Sequence, residues 1–215
     1  MTKQQSPFPP VSRKELDERG ISQPDFIFVT GDAYIDHPSF GAAVITRVLE
    51  SRGYSVALIV QPDWHSARDF AALGAPRLGF LVSSGNLDSM VNHYSVSGAR
   101  RDTDAYTAGG EAGRRPDRAT IVYANRCREA FPKAPLILGG LEASLRRFAH
   151  YDYWDDRVRH SILYDACADL LVYGMGERAI TDIADALNAG TPVSALTNIP
   201  GTCARVSAPP EGEYV

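Results

Sequence analysis

The sequence predicts a doubly wound α/β fold: a mostly parallel five-stranded sheet, in flavodoxin-like order 2-1-3-4-5, held between two helical layers. Two observations carry this expectation. Five short apolar runs are separated by stretches with helical character, and strands alternating with helices pair in parallel through right-handed crossovers. Unusual turns follow the first, fourth and fifth runs, so all three fall at the strand carboxyl ends, where ligands sit in such folds.

"DFIFVT" (25–30), following Pro24, reads as the first buried strand. "SFGAAVITRVLESRG" then places Phe40, Val44, Val48 and Leu49 on one helical face and stops at Gly53. "YSVALIVQP" (54–62) is β-branched and apolar, a second strand, and "SARDFAALG" (66–74) is a short helix ended by Gly74. "RLGFLVS" (77–83) is the third strand. A polar excursion over 92–117, rich in Gly, Arg and Asp, has no period; loops of that length are functional or mobile as a rule. "RATIVYANRCREAFP" (118–132) reads as a helix leading into the fourth strand, "APLILGG" (134–140). "EASLRRF" opens another helical turn, and "DYWDDRVRHSILYDA" reads as helical. "ADLLVYG" (168–174) is the fifth strand. "ERAITDIADALNAG" (177–190) is amphipathic, with Ile180, Ile183, Ala184 and Leu187 inward and Gly190 as its stop. Residues 1–24 are expected as an N-terminal extension, 25–190 as the α/β domain, and 191–215, rich in Pro, Thr and Ala, as a linker.

Composition narrows the function. The 215 residues fit one large domain, and 44% hydrophobic content is enough for a real core. A net charge of -4 makes no electrostatic case for nucleic acid. There is no run of eighteen apolar residues, and "MTKQQSPFPP" has no signal-peptide core, so neither membrane insertion nor secretion is expected. Cys127, Cys167 and Cys203 lie far apart, with no CxxC or CxxxCxxC, so no metal or cluster motif is present and a cytoplasmic setting with reduced thiols is expected.

The candidate site residues gather at the carboxyl edge. After the first strand come Asp32, Asp36, His37 and Ser39, which read either as turn and helix-cap residues or as one wall of a ligand pocket. No second His or Cys cluster supports a metal there. After the third strand, Asn86 and Asp88 are turn or cap residues that face the same edge. After the fourth, Gly139 and Gly140 permit close backbone approach, and Glu142 and Ser144 open a helix. After the fifth, Gly174, Gly176 and Glu177 repeat the pattern; Glu177 would oppose an anion. Two glycine turns on one edge suggest a pocket wall more strongly than either alone. The block holding Arg146, Arg147, His150, Tyr151, Tyr153 and Trp154 reads either as a partly buried helix–loop or as a docking face, since Arg, Tyr and Trp favour interface centres.

These segments resemble a known family. "VTGDAYIDHPSFG", "GNLDSMVNHY", "DTDAYT", "RPDRATIVYANRCREAF", "ILGGLEASLRRFAHYDYWDDRVRHSIL" and "YGMGERAI" are together similar to the N-terminal region of YgiQ-type radical S-adenosylmethionine (SAM) proteins, from about Asp25 to Ala189. The wider pattern looks like the cobalamin-binding domain preceding many radical SAM barrels, in which the glycine turns after strands four and five line the cofactor's nucleotide tail. The resemblance matches Gly139, Gly140, Gly174, Gly176 and Glu177 to those turns; with the edge residues Asp32, Asp36, His37, Ser39, Asn86 and Glu142 they make the expected cofactor-binding set, with no catalytic or metal-ligating residue. Asp36 and His37 are adjacent and Gly41 falls one place late against the family's D-x-H-x-x-G, so cobalt ligation does not carry over to His37. The family's iron–sulfur cluster and SAM would belong to a downstream barrel, since CxxxCxxC is missing here. The expected function is an accessory domain that covers that barrel and helps bind a substrate or a cobalamin-like cofactor. A self-contained small-molecule enzyme using Asp32, Asp36 and His37 is the first alternative. A pure docking module is the second.

Overall fold

A computed structural model describes residues 8–206. Residues 1–7 of the expected extension and 207–215 of the expected linker lie outside the described residues. In chain order the elements are α1 (Arg13–Glu18), β1 (Phe26–Thr30), α2 (Gly41–Ser51), β2 (Val56–Val60), α3 (Arg68–Ala71), β3 (Gly79–Ser83), α4 (Ser89–His93), α5 (Ala119–Ala130), β4 (Leu136–Leu138), α6 (Gly140–Leu145), β5 (His150–Asp152), β6 (Arg157–Arg159), α7 (Ile162–Asp165), β7 (Leu170–Val172), α8 (Glu177–Asn188) and β8 (Thr202–Ala204).

The central sheet has the order β2-β1-β3-β4-β7-β8. Its first five members are parallel and in the expected order. Residues alternate between two apolar layers, as a strand's period of two dictates. Phe26, Phe28, Leu58, Leu81, Ile137, Leu170 and Val172 pack with Leu49 of α2 and Ile180, Ile183 and Ala184 of α8. Ile27, Val29, Ile59, Phe80, Val82, Leu138 and Leu171 pack on the other face with Leu16, Phe70, Tyr123 and Cys127. Each fully buried Leu, Ile or Phe in these layers contributes about 1.5–3 kcal/mol relative to exposure. Covering on both faces explains why the strands read as continuous apolar runs.

Three expectations are corrected. The sheet has six strands: Thr202–Ala204, inside the stretch read as linker, pairs antiparallel with β7. A three-residue strand flanked by polar loops leaves no periodic signal. The stretch read as extension packs on the domain: Leu16 is fully buried, and the Pro10 carbonyl accepts from Leu58 N–H on β2, an edge strand of the sheet. Finally, "DYWDDRVRH" is not helical. It forms the antiparallel hairpin β5–β6, turning through Asp156 at φ +50°.

That hairpin is held from within by Asp152, which is 5% exposed. Arg118 Nη2 lies 2.8 Å and Arg159 Nε 2.9 Å from Asp152 Oδ2, while Trp154 and Asp155 N–H donate to Oδ1. Burial alone would raise the carboxyl's pKa, but the hydrogen bond and charge of Arg118 with the two backbone donors hold it below the ordinary value. A group depressed in the fold adds stability above its unfolded pKa and loses it as pH falls through the folded value. We expect the Asp152→Asn variant to be less stable than the parent by about 1–3 kcal/mol at pH 7, with the gap closing below about pH 4. Urea unfolding across pH 3–7 checks this, and a gap that stays constant with pH would contradict it.

Candidate functional site

An open slot of about 340 Å³ lies at the carboxyl edge, between the strand ends and the helices α2 and α8. Phe28, Leu81, Ile137 and Val172 from four parallel strands, with Ile45 and Ile180 from the two helices, make its apolar wall. Of the residues expected at the site, Asp32, Asn86, Gly139, Gly140, Gly174, Gly176 and Glu177 line it. Asp36, His37, Ser39 and Glu142 do not.

The turn after β1 shows why the set divides. Neither Ser39 nor Asp36 caps α2, whose N-cap residue is Phe40 with no side-chain bond. The cap comes from another loop: Asn86 Oδ1 accepts from Gly41 N–H at 3.3 Å, and Asn86 Nδ2 donates to the Ser39 carbonyl at 3.0 Å. Asn86 thus ties the turn after β1 to the turn after β3. Asp36 pairs with Arg47 of α2, and that hydrogen bond holds its pKa below the ordinary carboxylate value. The exposed His37 ring accepts from Ser39 N–H through Nδ1 at 3.1 Å. Asp32, Asp36 and His37 therefore each serve a different partner and do not converge.

Asp32 anchors the floor of the edge. It is 3% exposed; Oδ2 accepts from Asn86 N–H at 2.6 Å, and Arg115 Nη2 lies 3.0 Å from Oδ1 without the alignment of a hydrogen bond. Burial pushes its pKa up, more than the Arg115 charge pulls it down. Arg115 is 1% exposed, donates to Asp104 through Nε (3.1 Å) and Nη2 (3.2 Å), and reaches the Ser84 carbonyl at 2.8 Å. Only glycine fits at position 31 beside it, since a Cβ would stand 2.1 Å from the Ser84 carbonyl oxygen. The excursion over 92–117 is thereby folded onto the strand ends; the Tyr106 carbonyl accepts from Ala33 N–H and Gln61 donates to Thr107. At its base the buried His93 meets Asp117 at 2.7 Å, and Tyr94 donates to the same carboxylate. Arg115 and Asp104 were not among the expected site residues. Two adjacent arginines in a Gly-rich, aperiodic stretch read as solvated, and their burial depends on contacts far away in sequence.

Glu142 is 1% exposed and faces away from the slot. Its Oε2 accepts from Ser89 N–H at 2.8 Å and its Oε1 from Thr120 N–H at 2.9 Å, so one side chain serves the first turns of α4 and α5. The glycines differ among themselves. Gly140 has φ +83°, and a Cβ there would meet Ser83 Oγ at 2.6 Å. Gly139 is extended (φ -158°, ψ -175°), a conformation open to any residue, and an added Cβ would meet nothing nearer than the Val172 carbonyl oxygen at 3.9 Å. Among the described residues, no group of three or more His, Cys, Asp or Glu could hold a metal ion, and no helix is long and apolar enough to cross a membrane.

The sheet order, the three layers and a slot at the strand carboxyl ends define a doubly wound α/β domain of flavodoxin-like strand order. The chain belongs to the radical SAM N-terminal family, whose model matches residues 8–214. It is 60% identical over 196 residues to a UPF0313 protein of Clostridium perfringens (strain SM101 / Type A), covering 91% of this chain and 30% of that protein. It is 56% identical over 195 residues to a UPF0313 protein of Clostridium botulinum (strain 657 / Type Ba4), again covering 91% and 30%. The chain thus spans about a third of the length of these relatives. In fold it is similar to the radical SAM methyltransferase TsrM from Kitasatospora setae. The TM-score is 0.55 at 18% identity over 86% of this chain and 28% of that one, in a structure with cobalamin and a [4Fe-4S] cluster bound. A second TsrM structure, with tryptophan substrate and a SAM analogue, gives 0.54 at 19% identity over 85% and 29%.

Proposed function

We propose that this chain is the accessory front domain of a radical SAM protein, and that its slot takes the nucleotide tail of a cobalamin-like cofactor. The observation that carries the reading is Gly139. Neither backbone nor packing requires glycine there, yet the residue stands at the rim of the slot, where a side chain would project into space that a ligand needs. The slot's volume suits a base with its sugar and not a macrocycle, so the corrin would rest outside, over the rim. Gly139, Gly140, Gly174 and Gly176 would give the tail its backbone-lined entrance, with Ile45, Ile180 and the four strand residues enclosing it. When bound, such a cofactor supplies a cobalt centre that can carry a methyl group. The chain's own residues bind, orient and exclude water. The iron–sulfur cluster and SAM belong, in this reading, to the downstream part of the longer protein.

The rim supports a covering role as well. Ile35, Leu141 and Met175, which line the slot, are 46%, 44% and 85% exposed. Apolar side chains gathered around a ligand opening fit a surface that another domain closes.

Titrating the chain with hydroxocobalamin tests the reading through the visible spectrum and tryptophan fluorescence. Saturable binding is expected. Gly139→Leu is expected to weaken it by more than about tenfold, ~1.4 kcal/mol, with thermal unfolding unchanged within a few degrees. Unaltered binding in that variant would remove the slot from the reading.

A further inference from the structure

The β5–β6 hairpin is built inside out. Its inner side is ionic: Asp152 meets Arg118 at 2.8 Å and Arg159 at 2.9 Å, and Arg159 Nη1 reaches Asp165 of α7 at 3.1 Å. Its outer side is aromatic and apolar. Tyr151 and Val158 stand opposite each other across the two strands, 59% and 74% exposed. Tyr153, two residues on, is 63% exposed, and its hydroxyl donates to the Val96 carbonyl of the excursion at 3.4 Å. Trp154 anchors the turn on Tyr94, with ring centroids 4.9 Å apart. The surface runs on through His160 to Tyr164 of α7, 6.0 Å away ring to ring and 56% exposed. A lone two-stranded hairpin is marginal in water, so the ion pairs hold this face in a fixed shape without burying it.

We infer that this face is the seat of the part of the longer protein that follows these residues. The inference rests on the reading of the chain as a front domain and is independent of what the slot binds. Two observations choose this occupant. The chain spans 30% of the relatives it matches, so in a protein of that length most of the polypeptide lies outside these residues. The described residues also end beside the face: the Arg205 guanidinium, one residue before that end, lies 5.2 Å from the centroid of the Tyr164 ring. Whatever follows sets out from the border of the hairpin's outer surface. Size points the same way. Four part-exposed side chains offer less than the roughly 800 Å² per partner of a free-standing complex. A tethered partner is held at high effective concentration and needs less. Tyr and Arg favour interface centres, and Arg157 is exposed beside Val158.

Pulsed hydroxyl-radical footprinting, read by mass spectrometry, compares the 215-residue chain with the same residues inside the longer protein. Labelling of Tyr151, Tyr153 and Tyr164 is expected to fall at least about threefold in the longer protein, because an interface core excludes water. Phe8, exposed near the opposite, β2 edge, is the unchanging reference, and Met175 on the slot rim reports separately on covering of the slot. Val158→Glu changes an exposed side chain and leaves the fold intact; within the longer protein it is expected to restore at least about half the labelling of Tyr151 and Tyr164, since docking would bury an unpaired charge. Protection of Met175 without the three tyrosines overturns this inference and leaves the front-domain reading standing. Protection of neither overturns both. Protection that appears in the 215-residue chain alone and grows with its concentration gives the face to a second copy, which overturns the inference as well.

Discussion

Arg115→Met lowers the free energy of unfolding by about 3–5 kcal/mol at pH 7, the expected result for removing one partner of a buried ionic cluster. The guanidinium has no exposed surface, and the side chains of Asp32 and Asp104 are 5% and 1% exposed. Without it two carboxylates face each other away from water, and the Ser84 carbonyl loses its donor. Methionine fills much of the volume, so the loss reports charge more than cavity. The pH dependence gives the signature. Asp32 already sits above the ordinary carboxylate value, and losing the Arg115 charge raises it further. A group raised in the fold favours folding at low pH and loses that contribution as pH rises through the folded value, so the deficit shrinks as pH falls from 7 towards 4. Urea unfolding over that range checks it. Adding Asp104→Asn to the variant restores part of the loss. A deficit below about 1 kcal/mol, as for an exposed pair, would mean the cluster is hydrated in solution.

Glu142→Gln is the second large effect, about 2–3 kcal/mol. The carboxylate accepts from Ser89 and Thr120, and an amide keeps only one acceptor while turning its NH2 towards the other N–H. One helix start is left with a buried, unpaired donor. Hydrogen exchange at Ser89 and Thr120 identifies which, since one of the two amides exchanges faster. Cobalamin binding by the folded variant is expected to match the parent, because Glu142 lies outside the slot lining. Selective loss of binding without loss of stability would return Glu142 to the ligand set.

The five parallel strands, their order and the edge where the slot opens were legible because apolar runs and glycine turns are local signals. The remaining features depend on partners distant in sequence. Asn86 caps a helix that starts forty-five residues earlier, and nothing near Gly41 announces it. Arg115 is buried only because Asp32, Ser84 and Asp104 come to meet it. The β5–β6 hairpin reverses the usual pattern: Asp152 points inward onto arginines, while Tyr151 and Tyr153 are 59% and 63% exposed. A pattern search for an apolar inner face misreads such a segment. Among the expected site residues, those at strand ends reached the slot, whereas Asp36, His37, Ser39 and Glu142 had residue types suited to a ligand but serve the chain itself.

The antiparallel course of β8 governs how anything beyond it is leashed. Thr202 stands opposite Val172 and Ala204 opposite Leu170, so the backbone passes from the slot edge down to the far edge of the sheet. A domain following Val206 that is to sit over the slot must first climb back along the flank. At about 3.3 Å per extended residue, the height of a five-residue strand takes roughly five residues of tether. Such a domain would be moored at the opposite pole from the slot opening. It could swing clear to let a bulky cofactor in while the sheet stays intact, and lengthening or shortening the mooring would tune how often the opening is covered without altering a single contact within it.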